Sequence, residues 1–358
     1  MSRAWILDSQ EGFEASLKFK EGVPIPGQAD LPANGALVKL FAASLNYREL
    51  MIADPTSPIG PINTPLIPGC DGAGVVLAVG SSVRDFRVGD KVITYPAPAV
   101  PEAQDGDDSA APGLPDASLM LGQGIDGTLR SVGVFTEKAL VHAPASLGWT
   151  LAASLPCNWA TAWNVLFGLG GKKAGPGTWV LVGGSGGLSV AALQLAVAAG
   201  ATVVATTSSE EKEARLRTLG AAHTVNYLRE PKEWAAKARD LTPSGRGFDI
   251  VVDVGGDETL LHSLSAVRLD GVVALVGLLG NKDAPSVPLV DVFQHGCIVR
   301  SLILGSREQL RQVVQFVDER KITPAIDDKV FELAETKDAY RFLSEKRHFA
   351  KVVIRIDH

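Results

Sequence analysis

The stretch WVLVGGSGGLSVAALQLAVAAGATVVATTSSEEK, residues 179–212, decides the fold. A four-residue apolar run, Trp179 to Val182, stops at the glycine cluster Gly183, Gly184, Gly186 and Gly187. An Ala/Leu-rich segment with helical spacing follows (Leu188, Ala191, Ala192, Leu195, Ala199). Gly200 sits where a helix closes on a glycine, and Thr202 to Thr206 reads as a second buried strand. The unit is therefore strand, tight turn, helix, strand. A glycine-rich turn entering a helix aims backbone N–H groups and the positive end of the helix dipole at one point, which suits a pyrophosphate. Gly184-Ser185-Gly186-Gly187-Leu188-Ser189 matches G-x-G-x-x-G with Ser189 in the place of the third glycine, and its setting predicts a dinucleotide site.

The end of the second strand indicates which dinucleotide. NAD sites place an Asp or Glu about 20 residues past the first glycine, on the ribose 2′-OH. Here Thr206, Thr207 and Ser208 stand there, with Lys212 one turn further on. Small hydroxyls and a lysine accept a 2′-phosphate that an acid would repel, so the expected cofactor is NADP(H). Ser208 also fits a capping box with Glu211, and Lys212 a solvated helix face; these roles can coexist with phosphate binding.

The chain of 358 residues is long for one domain and comfortable for two, and 46% hydrophobic residues suffice for sizeable cores. A net charge of −6 without a basic cluster argues against nucleic acid and anionic membrane as partners. No apolar run approaches about 18 residues and the N-terminus does not read as a secretory signal. Cys70, Cys157 and Cys297 are odd in number and widely spaced, which suits a reducing compartment and predicts a cytoplasmic protein.

Residues 1–148 carry short apolar runs bounded by Gly, Pro and Asp (36–40, 75–79, 91–93, 138–141), predicting a small, mostly β domain. The segment 97–121, rich in Ala, Pro, Asp and Gly, predicts a long loop. From 149 to 304 strand-like runs recur at 224–226, 250–253, 272–276 and 298–302 with helical patterns between most of them. With the first two these make six strands, a doubly wound α/β sheet. Residues 305–358 add a helix, 307–320, and a last strand, 351–356, expected to rejoin the first domain. The sixth strand is nearly all apolar at a sheet edge, so the chain either pairs it in a homodimer or covers it.

With these features the chain resembles the medium-chain dehydrogenase/reductase superfamily, in its zinc-type alcohol dehydrogenase-like and quinone oxidoreductase-like branch. The carriers are Ala43-Ser44-Leu45-Asn46-Tyr47-Arg48-Glu49, Pro68-Gly69-Cys70-Asp71-Gly72-Ala73-Gly74, Val88-Gly89-Asp90-Lys91-Val92, Leu155-Pro156-Cys157, Thr161-Ala162-Trp163 and the glycine turn. The resemblance implies a GroES-like catalytic domain built from both chain ends around an inserted Rossmann domain, with the active site in the cleft between them. It further implies cofactor contacts at Gly184, Ser185, Gly186, Gly187 and Leu188, with Thr207, Ser208, Lys212 and Tyr227 near the 2′-phosphate. Val276, Gly277 and Leu278 are implied at the nicotinamide carboxamide, and Lys351 and the 305–307 turn near the phosphates.

By the same resemblance the family's Cys, His and Cys zinc ligands fall on Asn46, Cys70 and Cys157, and the Glu that follows the His on Asp71. An amide is a poor zinc ligand, so no metal is expected, although Cys70 and Cys157 could still form half a site. The four cysteines of the family's structural zinc are missing between Tyr95 and His142. Without a Lewis acid a simple ketone loses its main charge stabilisation, whereas hydride added to an enone or quinone spreads charge onto an oxygen that hydrogen-bond donors can hold. Asn46, Tyr47, Arg48, Asp71 and Thr161 are the candidate catalytic residues. Tyr47 fits a packing role equally, Arg48 could pair with Glu49 or Asp71, and Asp71 could serve as a turn residue. The expected activity is NADPH-dependent, zinc-independent reduction of a small conjugated carbonyl or quinone. The alternatives are a zinc-dependent alcohol dehydrogenase using Cys70, Cys157 and a water or Asp71, and a non-catalytic NADPH-binding protein.

Overall fold

The structure, a computed structural model, describes residues 2–56, 62–100, 108–281 and 283–357. It divides into two compact units, one of residues 1–160 with 304–358, the other of 161–303.

In the second unit, Trp179–Val182 (β1), Thr202–Thr207 (β2), His223–Asn226 (β3), Phe248–Asp253 (β4), Val267–Leu275 (β5) and Ile298–Ser301 (β6) form one parallel sheet in the order β3-β2-β1-β4-β5-β6. This is the doubly wound arrangement, reversing direction beside β1. Helix Gly187–Ala198 (α1) follows β1 after four residues and buries Val190, Leu193 and Leu195. It ends as its glycine predicts. Gly200, at φ +88°, donates to Val197 O and Ala201 donates to Ala196 O, the paired bonds of a Schellman motif.

The first unit is mostly β. Its seven-stranded sheet runs Ile326–Glu332, Lys351–Arg355, Gly35–Leu45, Asp71–Val79, Lys91–Thr94, Leu140–His142, with Val132–Thr136 also pairing on Gly35–Leu45. The run at 138–141 is strand only in its second half; residues 137–139 form a 3-10 turn. Sequence ends meet here, because Val352 pairs antiparallel with Leu45. The middle of the sheet admits no side chain at Gly74, where a Cβ would lie 2.1 Å from Lys39 O. Part of the expected loop at 97–121 is ordered: residues 114–119 form a 3-10 helix whose end buries Met120 and Leu121. Residues 101–107 of it lie outside the described residues. Among the described residues no helix is long and apolar enough to cross a membrane.

Candidate functional site

The glycine turn has the form an anion needs. Gly184 adopts φ +79° and its N–H donates to Thr206 Oγ1 at 2.9 Å, fixing the turn to the end of β2. The first intrahelical bond of α1 runs from Val190 N–H to Gly186 O, so the amides of Gly187, Leu188 and Ser189 point off the helix end. Ser189 replaces the third glycine without cost, since its hydroxyl donates to Gly183 O at 2.5 Å. A Cβ added at Gly184 or Gly186 would meet no described atom within 4 Å. Gly186, at φ −77°, therefore needs to be glycine neither for its backbone angle nor for protein packing; close approach of a ligand is the remaining reason. The turn fits a pyrophosphate.

At the 2′-phosphate end the register differs by one residue from the expected cap. Ser209, not Ser208, caps the helix Glu210–Thr218, accepting from Lys212 N–H, so the Ser208/Glu211 box does not form. Thr207 spends its hydroxyl on Ser209 backbone. Tyr227 is brought beside it, its N–H donating to Thr207 O at 3.1 Å, and Arg229, which the sequence did not single out, pairs with Glu210. At the far end of the sheet Val276 N–H donates to Asp253 O. Gly277 packs so tightly that a Cβ would lie 2.8 Å from Val254 O, and Leu278 is exposed. Asp253 itself is consumed by the turn, accepting from Gly255 and Gly256 N–H and the Thr259 and Ser263 hydroxyls. Thr161, buried on the helix Pro156–Phe167, belongs to this second unit.

In the first unit, the ends of three adjacent strands bring Asn46, Asp71 and Lys351 together. Asn46 leaves the strand Gly35–Leu45 and starts the helix Tyr47–Ala53, its N–H donating to Glu49 Oε2 at 2.5 Å. Asp71 opens the next strand, opposite Ser44, and Lys351 opens the strand on the other side. The ammonium of Lys351 donates to Asp71 Oδ2 at 2.8 Å, Asn46 Oδ1 at 2.7 Å and Leu45 O at 2.9 Å. This corrects the expectation for Lys351: all three of its protons are spent inside the cluster, and none is left for a cofactor phosphate. Ser306 caps the helix Arg307–Arg320, and Arg307 binds Leu140 O, Glu137 O and Asp108.

Asp71 is fully committed. Oδ2 accepts from Ser44 Oγ at 3.1 Å and Asn46 Nδ2 at 3.0 Å besides Lys351; Oδ1 accepts from Cys157 N–H at 3.0 Å and Cys70 Sγ at 3.4 Å. Thr94 and Thr128, silent in the sequence, pin the backbone here: Thr94 donates to Cys70 O and Thr128 to Asp71 O. Arg48 turns inward. Its guanidinium donates to Leu121 O at 2.9 Å and Gln123 Oε1 at 3.0 Å and lies 3.5 Å from Glu49 Oε1. The bond with Cys157, burial and the charge of Asp71 push the Cys70 thiol well up. Burial also raises Glu49, against the pull of Arg48. Tyr47 stands half-buried at the first position of its helix, with Lys346 Nζ 5.9 Å from its ring centroid.

Residues 32–147 match the alcohol dehydrogenase GroES-like domain and residues 187–319 the zinc-binding dehydrogenase domain. A zinc-type alcohol dehydrogenase-like protein of Schizosaccharomyces pombe is 38% identical over 324 residues, 90% of each chain. The chain belongs to the zinc-type alcohol dehydrogenase-like family of medium-chain dehydrogenases/reductases. A solved NAD-dependent alcohol dehydrogenase is 30% identical and superposes at a TM-score of 0.85 over 99% of both chains. The chloroplastic quinone-oxidoreductase of Triphysaria versicolor is 29% identical over 99% of this chain and 98% of its own. As a family member the protein is an oxidoreductase that uses a nicotinamide cofactor on small molecules.

The family's catalytic zinc does not fit the donors of this member. Cys70, Asp71 and Cys157 place one ligand atom each within 4.8 Å of one another, all buried. Two thiols are suitable donors, but Asp71 already accepts five hydrogen bonds and the amide of Asn46 is a poor third ligand. One side-chain cation already stands at the donors, the ammonium of Lys351 on Asp71.

Proposed function

We propose that this protein is an NADPH-dependent, zinc-independent oxidoreductase that delivers hydride to a small conjugated carbonyl or quinone. The observation that carries this reading is the saturated Asp71 with its buried ammonium, where a zinc-dependent member needs an open, ligand-rich site. The nicotinamide supplies the hydride when bound. The chain's own part is to hold the charge that then develops on the acceptor oxygen, which a conjugated acceptor lets donors do without a metal. With Arg48 turned inward, the Tyr47 hydroxyl is the candidate donor and Arg48 positions the cluster behind it. Ser208, Lys212, Tyr227 and Arg229 at the end of β2 and β3 favour the 2′-phosphate, there being no carboxylate at positions 206–208.

A homodimer belongs to this reading. The strand β6 ends the sheet with an unpaired edge, and on the helix Leu289–His295 just before it Leu289 and Phe293 are 82% and 85% exposed. Size-exclusion chromatography with light scattering tests it, and a monomer at working concentrations removes it.

Activity is tested by NADPH oxidation on an enone, its saturated ketone and a quinone, each with and without chelator. Turnover of the enone or quinone alone, indifferent to chelator, is expected. Chelator-sensitive turnover of the saturated ketone makes the protein a metal-dependent alcohol dehydrogenase instead. Lys212→Glu is expected to weaken NADPH binding at least about tenfold more than NADH, the scale of one lost charge-assisted contact. Equal weakening of both sinks the cofactor reading.

A further inference from the structure

A donor on Tyr47 requires its helix to keep one orientation, and the helix is too short to hold one by itself. Tyr47–Ala53 has seven residues, about two turns. Its far end is anchored: Ile52 and Ala53 are buried, and Gly12 N–H donates to Ala53 O at 2.8 Å. At the near end the guanidinium of Arg48 reaches a single turn of a distant segment, Nη1 donating to Leu121 O at 2.9 Å and Nη2 to Gln123 Oε1 at 3.0 Å. That turn is a fixed body. Leu121 N–H donates to Pro96 O, Gly122 N–H donates to Ile125 O, and Met120, Leu121 and Gln123 are all buried. A Cβ at Gly122 would lie 2.6 Å from Gly69 N and one at Gly124 1.7 Å from Ser118 O, so the turn has no room to shift. A competing acceptor stands beside the fork. Glu49 Oε1, buried, accepts no hydrogen bond from a described residue and lies 3.5 Å from Nη1.

We infer, on the reading of Tyr47 as donor to the acceptor oxygen, that Gln123 is a positioning residue for the Tyr47 hydroxyl, acting through Arg48. Adjacent residues of a helix lie about 100° apart around its axis, so an arginine held at two atoms by a rigid turn fixes the azimuth of the tyrosine before it. Leu121 O belongs to the backbone and survives substitution; Gln123 Oε1 does not. Without it Nη2 is left buried and unpaired, the fork turns about its remaining bond toward Glu49 Oε1, and the first turn of the helix moves with it. A shift of about 1 Å at a reacting group is enough to cost about a hundredfold in rate.

The test is a double-mutant cycle of Tyr47→Phe and Gln123→Met, read as the single-turnover rate of NADPH oxidation with cyclohexenone or benzoquinone. Tyr47→Phe alone is expected to slow the reaction at least about a hundredfold, the scale of a lost proton-donating group. Gln123→Met, close in volume but without the acceptor, is expected to slow it about ten- to a hundredfold in wild type and less than about threefold in the Tyr47→Phe background. The KM for NADPH should stay within about twofold of wild type throughout. Gln123→Glu, which keeps the acceptor, should recover most of the loss. Gln123→Ser takes the place of Gln123→Met if the latter does not fold. Equal slowing in both backgrounds, no slowing, or a Gln123→Glu as slow as Gln123→Met overturns the inference and leaves the donor in place. Tyr47→Phe at the wild-type rate removes Tyr47 as the donor and the inference with it. Wild type that oxidises NADPH with neither acceptor removes the reading of function beneath both.

Discussion

Replacing Lys351 by Met should be the most damaging single change in the catalytic unit that adds no steric clash. Met keeps most of the length of the buried stem but leaves Asp71 with a full charge and four remaining donors, Ser44, Asn46, Cys70 and the Cys157 amide. It also strips a donor from Leu45 O and Asn46 Oδ1. Breaking a buried ion pair from one side costs about 3–5 kcal/mol, mostly because the other charge stays uncompensated. For a unit of this size that is a fall of roughly 10 °C in melting temperature. Because two units can unfold separately, a global midpoint is the wrong observable. Hydrogen exchange by mass spectrometry resolves them: protection should drop in the strands Gly35–Leu45, Asp71–Val79 and Lys351–Arg355 and stay unchanged in β1. Asp71→Asn in the Lys351→Met background should restore about half of the loss, since the buried charge is then gone from both sides. If Lys351→Met costs under about 1 kcal/mol, or Asp71→Asn makes it worse additively, the ammonium and carboxylate are not a coupled pair.

Glu49 is protonated more readily folded than unfolded, its pKa being raised from 4.5 by burial. As pH rises past 4.5 the unfolded chain releases this proton first, so the Glu49 contribution to stability falls from there up to the folded pKa. Glu49→Gln should thus gain on wild type in urea midpoint as pH rises through that window; parallel profiles would exclude it. Gly74→Ala and Gly186→Ala should separate folding from binding. The first drives a Cβ onto Lys39 O and should yield little folded protein, whereas the second should keep the melting temperature within about 3 °C and lose most dinucleotide affinity by calorimetry. A Gly186→Ala protein that binds normally removes the pyrophosphate from that turn. Native thiol titration at about pH 8 should release at most one fast equivalent, from half-buried Cys297, because the bond with Cys157 and burial keep Cys70 protonated and covered. Two or more fast equivalents would mean that the cluster opens in solution.

The Rossmann unit was legible because its signals are local. A four-residue strand, glycines at fixed offsets and a helix closed by Gly200 all lie within 22 residues, and each fixes its own backbone bonds. The six-stranded order follows from the alternation and handedness of such units. The first unit was legible as β but not in register, since its pairings join positions as distant as Leu45 and Val352. Offsets of one residue escaped as well. Ser208 and Ser209 are equivalent to composition, and only the φ and ψ of the turn make Ser209 the cap.

Lys351 shows why the catalytic cluster was the harder part. Its place at a strand start carries no mark of what it faces, and Asp71 stands 280 positions away. A lysine, a family position and a nearby cofactor suggested phosphate. The proton count gives a different answer, because an ammonium with three buried acceptors within 2.9 Å has nothing left to offer an anion. Arg48 takes partners that its place in the sequence does not announce. A candidate donor two residues past Asn46, it turns its guanidinium to Leu121 O, at the end of the stretch read as loop, and to Gln123 just beyond it. What distinguishes this chain from a zinc-binding member is therefore not one missing ligand. Asn46 in the place of the family's cysteine removes a thiolate, but the amide is stable there only because Lys351 can donate to its oxygen while its nitrogen donates to Asp71. Asn46→Cys alone would break that ring and leave the Lys351 ammonium on Asp71, so the added thiol should not by itself make a metal site.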